Sequence, residues 1–237
     1  MAASIQRSFL PPELPKDERG RFEVCAFTQS AQDVGGDLYD VSELPGGRVG
    51  ICLGDVSGKG IPAALYMARV VSEFRMLCAG GSPANDVLSA LNLGLVQGAM
   101  RGMFVTFAYG ILDPASGEFH LANAGHLPLL LAKGNGELHW VGSASGPPLG
   151  MLPSSKYQDE VLTLAPNDSL LFYSDGIVEA RNKEGELFDE ERLQRASGSG
   201  GGGASRLMSA VLESIRDFTK EAPQADDMTL VSLSWAG

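Results

Sequence analysis

Hydrophobic and polar positions alternate along much of this chain with a period of two, broken by stretches where the period lengthens to that of a helix. Arg48–Leu53 puts Val49, Ile51 and Leu53 on one face after the turn pair Gly46-Gly47, and with the strand-like run Leu38–Leu44 it predicts a hairpin; Phe22–Thr28 reads as a further strand. Pro62 suits a first helical position, and Met67, Val70, Val71, Phe74, Leu77 and Cys78 then recur at helical spacing. This predicts a helix over Pro62–Ala79, stopped by Gly80-Gly81. Ser82-Pro83 reads as the cap and first turn of a second helix running to Ala99, with Ala84, Val87, Leu88, Leu91 and Leu95 on its apolar face.

From Phe104 the period returns to two. Phe104–Asp113, Glu118–Ala122, Leu127–Ala132 and Glu137–Val141 are short runs separated by Pro, Gly and Asn, the pattern of an antiparallel meander. Val161–Leu164 and Ser169–Tyr173 continue it, and in Thr229–Trp235 the residues Val231, Leu233 and Trp235 alternate with Ser232 and Ser234. A short helix near Asp189–Arg195 and a longer one over Ser205–Lys220 fall between the last two strands, and Ser197–Gly203, almost all glycine and serine, reads as a flexible loop. Many strands with helices in two clusters predict an α+β architecture layered on antiparallel sheets, not a doubly wound parallel sheet. Residues 1–20, punctuated by Pro11, Pro12 and Pro15, read as a lead-in, and 21–237 as a single domain.

Composition narrows the function. At 237 residues and 44% hydrophobic the chain has material for a sizeable core. Its 29 acidic residues against 18 basic ones give a net charge of -11, which argues against nucleic acid or an anionic membrane surface as partner and suits a site for cations. Cys25, Cys52 and Cys78 have neither the spacing of a zinc site nor the even count of a disulfide framework, so a reducing cytoplasm is the expected home. No apolar run reaches about 18 residues and no leader is evident, so neither membrane insertion nor secretion is expected.

The stretch Gly54-Asp55-Val56-Ser57-Gly58-Lys59-Gly60 links a strand to a helix and wraps an aspartate in three glycines. A phosphate-cradling P-loop would need Gly where Leu53 stands and Ser or Thr where Gly60 stands. Gly58-Lys59-Gly60-Ile61-Pro62-Ala63 fits G-x-G-x-x-A, but a dinucleotide site also wants a strand after the helix, and here a second helix follows. Other aspartates stand at strand ends as well: Asp37, Asp175 and the pair Asp226-Asp227. Each alone is an ordinary turn cap. Brought to one rim, carboxylates about 4 Å apart repel by roughly 4 kcal/mol at an effective dielectric near 20, so they must take up protons or bind divalent cations. All-oxygen ligation favours Mg2+ or Mn2+, and two such ions bridged by an aspartate bind phosphate and activate water.

Six stretches carry a resemblance. Gly35-Gly36-Asp37-Leu38-Tyr39-Asp40, Gly54–Gly60, Ala124-Gly125-His126-Leu127-Pro128, Pro148-Leu149-Gly150, Phe172–Ala180 and Asp226-Asp227-Met228-Thr229-Leu230 appear in the order found in the metal-dependent PPM-type serine/threonine protein phosphatases. The chain resembles their bacterial SpoIIE-like branch, which includes RsbU-type regulators. The resemblance implies a β-sandwich flanked by helices, four layers αββα, with two Mn2+ or Mg2+ ions at one rim. Asp55 would bridge them, Asp37 and the Val56 backbone carbonyl would complete one site, and Asp175 and Asp226 the other, with Asp227 behind. The implied reaction is hydrolysis of phosphoserine or phosphothreonine on a partner protein by metal-bound water, the usual partner being a STAS-type anti-sigma-factor antagonist.

Eukaryotic relatives place a phosphate-binding arginine before the first acidic ligand, and Ala31-Gln32-Asp33-Val34 offers none, which leaves phosphate to the metals and Lys59; a solvated turn lysine is the competing reading. His126 fits a general acid or a structural imidazole bonding its loop, while His120 and His139 read as strand-surface residues. Ile5-Gln6-Arg7-Ser8-Phe9-Leu10-Pro11 is similar to the family's lead-in after an upstream sensory or receiver domain, and the two helices after Pro62 offer a surface for activation or a homodimer. A catalytically silent module that sequesters a partner on the same fold is the alternative reading.

Overall fold

A computed structural model describes residues 2–98, 102–199 and 202–237. The elements run α1 (Ala2–Arg7), β1 (Phe22–Gln29), β2 (Asp37–Leu44), β3 (Arg48–Val56), α2 (Ile61–Cys78), α3 (Ala84–Gln97), β4 (Val105–Asp113) and β5 (Glu118–Ala124). They continue with β6 (Leu129–Ala132), β7 (Leu138–Val141), β8 (Asp159–Thr163), β9 (Ser169–Tyr173), α4 (Asp175–Val178), α5 (Asp189–Ser199), α6 (Ala204–Thr219) and β10 (Met228–Trp235). Among the described residues two five-stranded sheets form, ordered β1-β10-β9-β6-β7 and β2-β3-β4-β5-β8, and their ladders are antiparallel.

Period-two alternation sorts side chains between two layers of core. Ile51 and Leu53 of β3 meet Leu170 and Phe172 of β9 and Val231 and Leu233 of β10 between the sheets. Cys52 points the other way, into the layer where Val70 and Phe74 of α2 and Leu88 and Leu91 of α3 cover the β2–β5 face. Leu193 of α5 with Leu207 and Val211 of α6 cover the opposite sheet. This is the expected αββα sandwich, and each large side chain sealed into it contributes about 1.5–3 kcal/mol.

The single meander expected from Phe104 onward does not form. β4 and β5 pair in one sheet, β6 and β7 join the other, β8 returns to the edge of the first and β9 lies inside the second. The chain changes sheets just after β5, where Gly125 takes φ 70° and packs so close to Pro148 that a Cβ would come within 2.7 Å of it. Asn123 fixes that crossing: its Nδ2 donates to the carbonyls of His126 (3.1 Å) and Gly142 (2.7 Å), and its Oδ1 accepts the His126 N–H (2.8 Å). Alternation assigns a residue to a face but not a strand to a partner.

Smaller differences follow local chemistry. Pro83, not Ser82, occupies the cap position of α3, which has no side-chain cap, and the expected end at Ala99 lies outside the described residues. Helix α5 continues into the expected loop as far as Ser199, held by the buried Ser197, whose Oγ donates to the Leu193 carbonyl at 2.8 Å; residues 200–201 of that stretch lie outside the described residues. Residues 1–20 carry the short helix α1, and Phe9 and Leu10 pack against the core layer that α2 and α3 cover. No helix among the described residues is long and apolar enough to cross a membrane.

Candidate metal centre

The hairpin β2–β3 sets Asp37 directly opposite Asp55 in the strand register. Its open end, away from the Gly46-Gly47 turn, carries glycine for reasons of space. A Cβ on Gly54 would lie 2.7 Å from the Phe107 ring and 2.8 Å from the Thr106 carbonyl, and one on Gly36 would lie 2.7 Å from the Val56 carbonyl oxygen and 3.2 Å from Asp55 Oδ1. Gly58 and Gly60, at φ 93° and 71°, then turn the chain into α2. From the other sheet, β9 ends at Tyr173 and releases Asp175 into α4, while Asp226 and Asp227 immediately precede the neighbouring strand β10. The rim of the sandwich thus collects acidic residues from both sheets.

Side-chain hydrogen bonds tie the rim together. Ser174 Oγ donates to Asp37 Oδ2 at 2.7 Å and accepts the Thr229 N–H at 2.9 Å, linking the first sheet to the second. Asp227 accepts the Ala31 N–H on Oδ1 (2.8 Å) and the Gly36 N–H on Oδ2 (2.7 Å), so its carboxylate shapes the 31–36 loop from behind. Lys59 Nζ, on a side chain 56% exposed, donates to Asp226 Oδ2 at 2.7 Å and to the Ala225 carbonyl at 3.2 Å.

The electrostatics are those of crowded carboxylates. Burial, and then the Asp55 charge, push the Asp37 carboxyl well above its ordinary range. Burial together with the charges of Asp175, Asp226 and Asp227 pushes Asp55 up to about 7, and burial with Asp226 raises Asp175. Lys59 is raised by its hydrogen bond to Asp226. The set suits a hard divalent cation in kind, being all oxygen and short of positive charge, and the missing Cβ of Gly36 leaves the Val56 carbonyl approachable. It is not drawn into a closed cage: among the described residues no three acidic, histidine or cysteine side chains enclose a point as they stand, and Lys59 holds one Asp226 oxygen.

His126 is buried with both ring nitrogens engaged. Thr106 Oγ1 lies 2.9 Å from Nδ1 and the Tyr173 carbonyl 3.1 Å from Nε2, which makes Nε2 the protonated nitrogen and Nδ1 the acceptor. Burial pushes its pKa down to about 4. Thr106 faces Asp55 across β3 and β4, and Tyr173 ends the strand that delivers Asp175, so the imidazole braces the rim from behind. His120 and His139 lie on strand surfaces beside Glu118 (2.6 Å) and Glu137 (3.6 Å). Ser174, Thr229, Thr106 and Asn123 were not singled out in the sequence because their roles show only in the fold: Ser174 bridges Asp37 and Thr229, Thr106 meets His126, and Asn123 ties His126 to Gly142.

Comparison with known proteins gives a consistent picture. The family model for Stage II sporulation protein E (SpoIIE) matches residues 45–236. Protein IcfG of Synechocystis sp. is 27% identical over 256 residues, covering 97% of this chain and 40% of that protein. Phosphoserine phosphatase RsbU of Bacillus subtilis is 29% identical over 187 residues, covering 79% of this chain and 55% of that protein. The chain therefore spans about half the length of the curated relatives it matches. Among solved structures, the SiaA-PP2C domain of Pseudomonas aeruginosa superposes with a TM-score of 0.82 at 18% identity, over 99% of this chain and 94% of that one.

Proposed function

The chain belongs to the SpoIIE family of PPM-type phosphatase domains, and from that premise we propose that it hydrolyses phosphoserine or phosphothreonine on a partner protein in bacterial signalling. The observation that carries the reading is the gathering of aspartates at one rim, where Asp37 stands opposite Asp55 in the strand register and burial, with the charges of Asp175, Asp226 and Asp227, pushes the Asp55 carboxyl up to about 7. Such a cluster is poised to exchange protons for divalent cations.

In this reading Asp37, Asp55 and the Val56 carbonyl would hold one Mn2+ or Mg2+, and Asp55, Asp175 and Asp226 a second. When bound, such ions supply the Lewis acidity that orients a phosphoryl group and brings a water into its reactive form at neutral pH. The chain's own side chains set the stage. Ser174 aims Asp37, Asp227 holds the 31–36 loop, and His126 anchors the end of β9 with both nitrogens spoken for, so it has no free proton to offer a leaving serine oxygen. Lys59, on a half-exposed stem, would offer its ammonium to a substrate phosphate in place of Asp226.

We further read residues 21–237 as one phosphatase domain with 1–20 as its lead-in, acting on a STAS-type antagonist in a reducing cytoplasm downstream of a sensory or receiver domain, with activation through a partner or a homodimer. The test is phosphate release from a phosphoserine peptide in Mn2+. Release should vanish in EDTA and in Asp55→Asn; activity surviving either would overturn the proposal.

A further inference from the structure

The 31–36 loop that leads into Asp37 is gripped from two sides, and one grip comes from outside the sandwich. On the inner side Asp227 takes the N–H groups of Ala31 and Gly36, and a Cβ on Gly35 would fall 1.9 Å from Asp227 Oδ2, so the Gly35-Gly36 backbone lies flat against that carboxylate. The Gly36 carbonyl also accepts the Val56 N–H at 3.4 Å, tying the loop to the strand end beyond Asp55. On the outer side stands Gln6 of α1. Its Nε2 donates to the Gly35 carbonyl at 2.6 Å and its Oε1 accepts the Gly35 N–H at 3.1 Å. A side-chain amide that pairs both ways with the N–H and C=O of one residue holds the two peptide groups that flank its Cα. Phe9 and Leu10, packed against the core layer under α2 and α3, hold the segment that presents Gln6. The two grips meet two residues before Asp37, and Gln6, Arg7, Gln32, Asp33 and Asp37 line one cleft of about 530 Å³.

We propose that Gln6 is a positioning residue for the cation site: it holds the Gly35 backbone against Asp227, so that the lead-in segment is a working part of the centre and its displacement loosens the loop that presents Asp37. The proposal rests on the phosphatase reading above. It also gives anything that moves α1 a direct mechanical route to the site, because the hydrogen bonds of the Gly35 N–H and C=O to Gln6 depend on where that helix lies.

The experiment uses the full chain with Gln6→Ala, Gln6→Met and, as a control on the same helix, the exposed Ser4→Ala. Gln6→Met keeps the stem and removes only the hydrogen bonds. Three quantities are read: Mn2+ affinity by titration calorimetry, amide exchange at Gly35, and the melting transition. Loss of two hydrogen bonds predicts Mn2+ binding about tenfold weaker and Gly35 exchange about tenfold faster in both Gln6 variants. The melting transition should stay in place, and Ser4→Ala should match the parent. Gln6→Met with parental Mn2+ affinity overturns the proposal, and so does a Gln6→Met chain that loses its melting transition, since that makes Gln6 merely structural. Failure of the underlying reading looks different: the parent chain itself would take up no Mn2+.

Discussion

Replacing Asp55 by Asn should stabilise the cation-free protein at alkaline pH while destroying the function proposed for it. A carboxyl carried from its ordinary 3.8 to about 7 has its ionised form disfavoured by about 4 kcal/mol, at 1.36 kcal/mol per tenfold change in proton affinity. The sign follows from which state binds the proton. The folded chain holds it up to about pH 7 and the unfolded chain releases it near 4, so the cost is absent below pH 4, grows between 4 and 7, and is complete above 7. An asparagine removes the charge but leaves a half-buried amide, which returns part of the gain, so about 2 kcal/mol of net stabilisation is expected. For a chain of this length that is a rise of about 4–8 °C in melting temperature. Urea unfolding of parent and Asp55→Asn in EDTA at pH 4.5 and pH 8 measures it: the variant should gain at pH 8 and lose that advantage at pH 4.5. With saturating Mn2+ the order should reverse, because only the parent gains binding energy. A variant less stable at pH 8 in EDTA, or a difference independent of pH, would refute the electrostatic reasoning.

Lys59→Ala frees an oxygen of Asp226 from an exposed ion pair worth up to about 1 kcal/mol, so Mn2+ should bind a few-fold tighter by calorimetry; weaker binding would contradict the competition. For His126→Gln, unfolding free energies from pH 8 to 4 test the buried neutral imidazole: the unfolded histidine takes its proton near 6.5 and the folded one only near 4, so the parent should lose stability relative to the variant across that window, and a constant difference would count against it. Asn123→Ala strips the hydrogen bonds that carry the chain from one sheet to the other and should cost about 2–4 kcal/mol in denaturant unfolding, a loss under about 1 kcal/mol being the contrary result.

What the sequence made legible was whatever is local. The alternation of Val49, Ile51 and Leu53 and the helical spacing of Val70, Val71 and Phe74 are enforced by burial on one face, and these elements lie close to where the pattern puts them. The strand-end aspartates were visible because acidic residues stand next to apolar runs, Asp37, Asp55 and Asp175 beside a glycine and Asp226-Asp227 just before Met228–Trp235. What was hidden is non-local. No pattern in Glu118–Ala124 announces that the next strand belongs to another sheet, because that choice is made by the Asn123 side chain and the left-handed Gly125. Ser174 looks like any residue at a strand end until Asp37 is found across the sandwich from it, and the pairing of Gln6 with Gly35 spans 29 positions. The hold of Lys59 on Asp226 is likewise set by the fold, spanning 167 positions.

The central claim, that aspartates from both sheets form a two-cation centre, is tested most directly by diffraction from crystals grown with Mn2+, collected at the manganese absorption edge. The account predicts two anomalous peaks at this rim, with Asp55 between them, Asp37 and the Val56 carbonyl on one and Asp175 and Asp226 on the other. Crystals with no anomalous peak at the rim, or with manganese held elsewhere while Lys59 stays on Asp226, would contradict it.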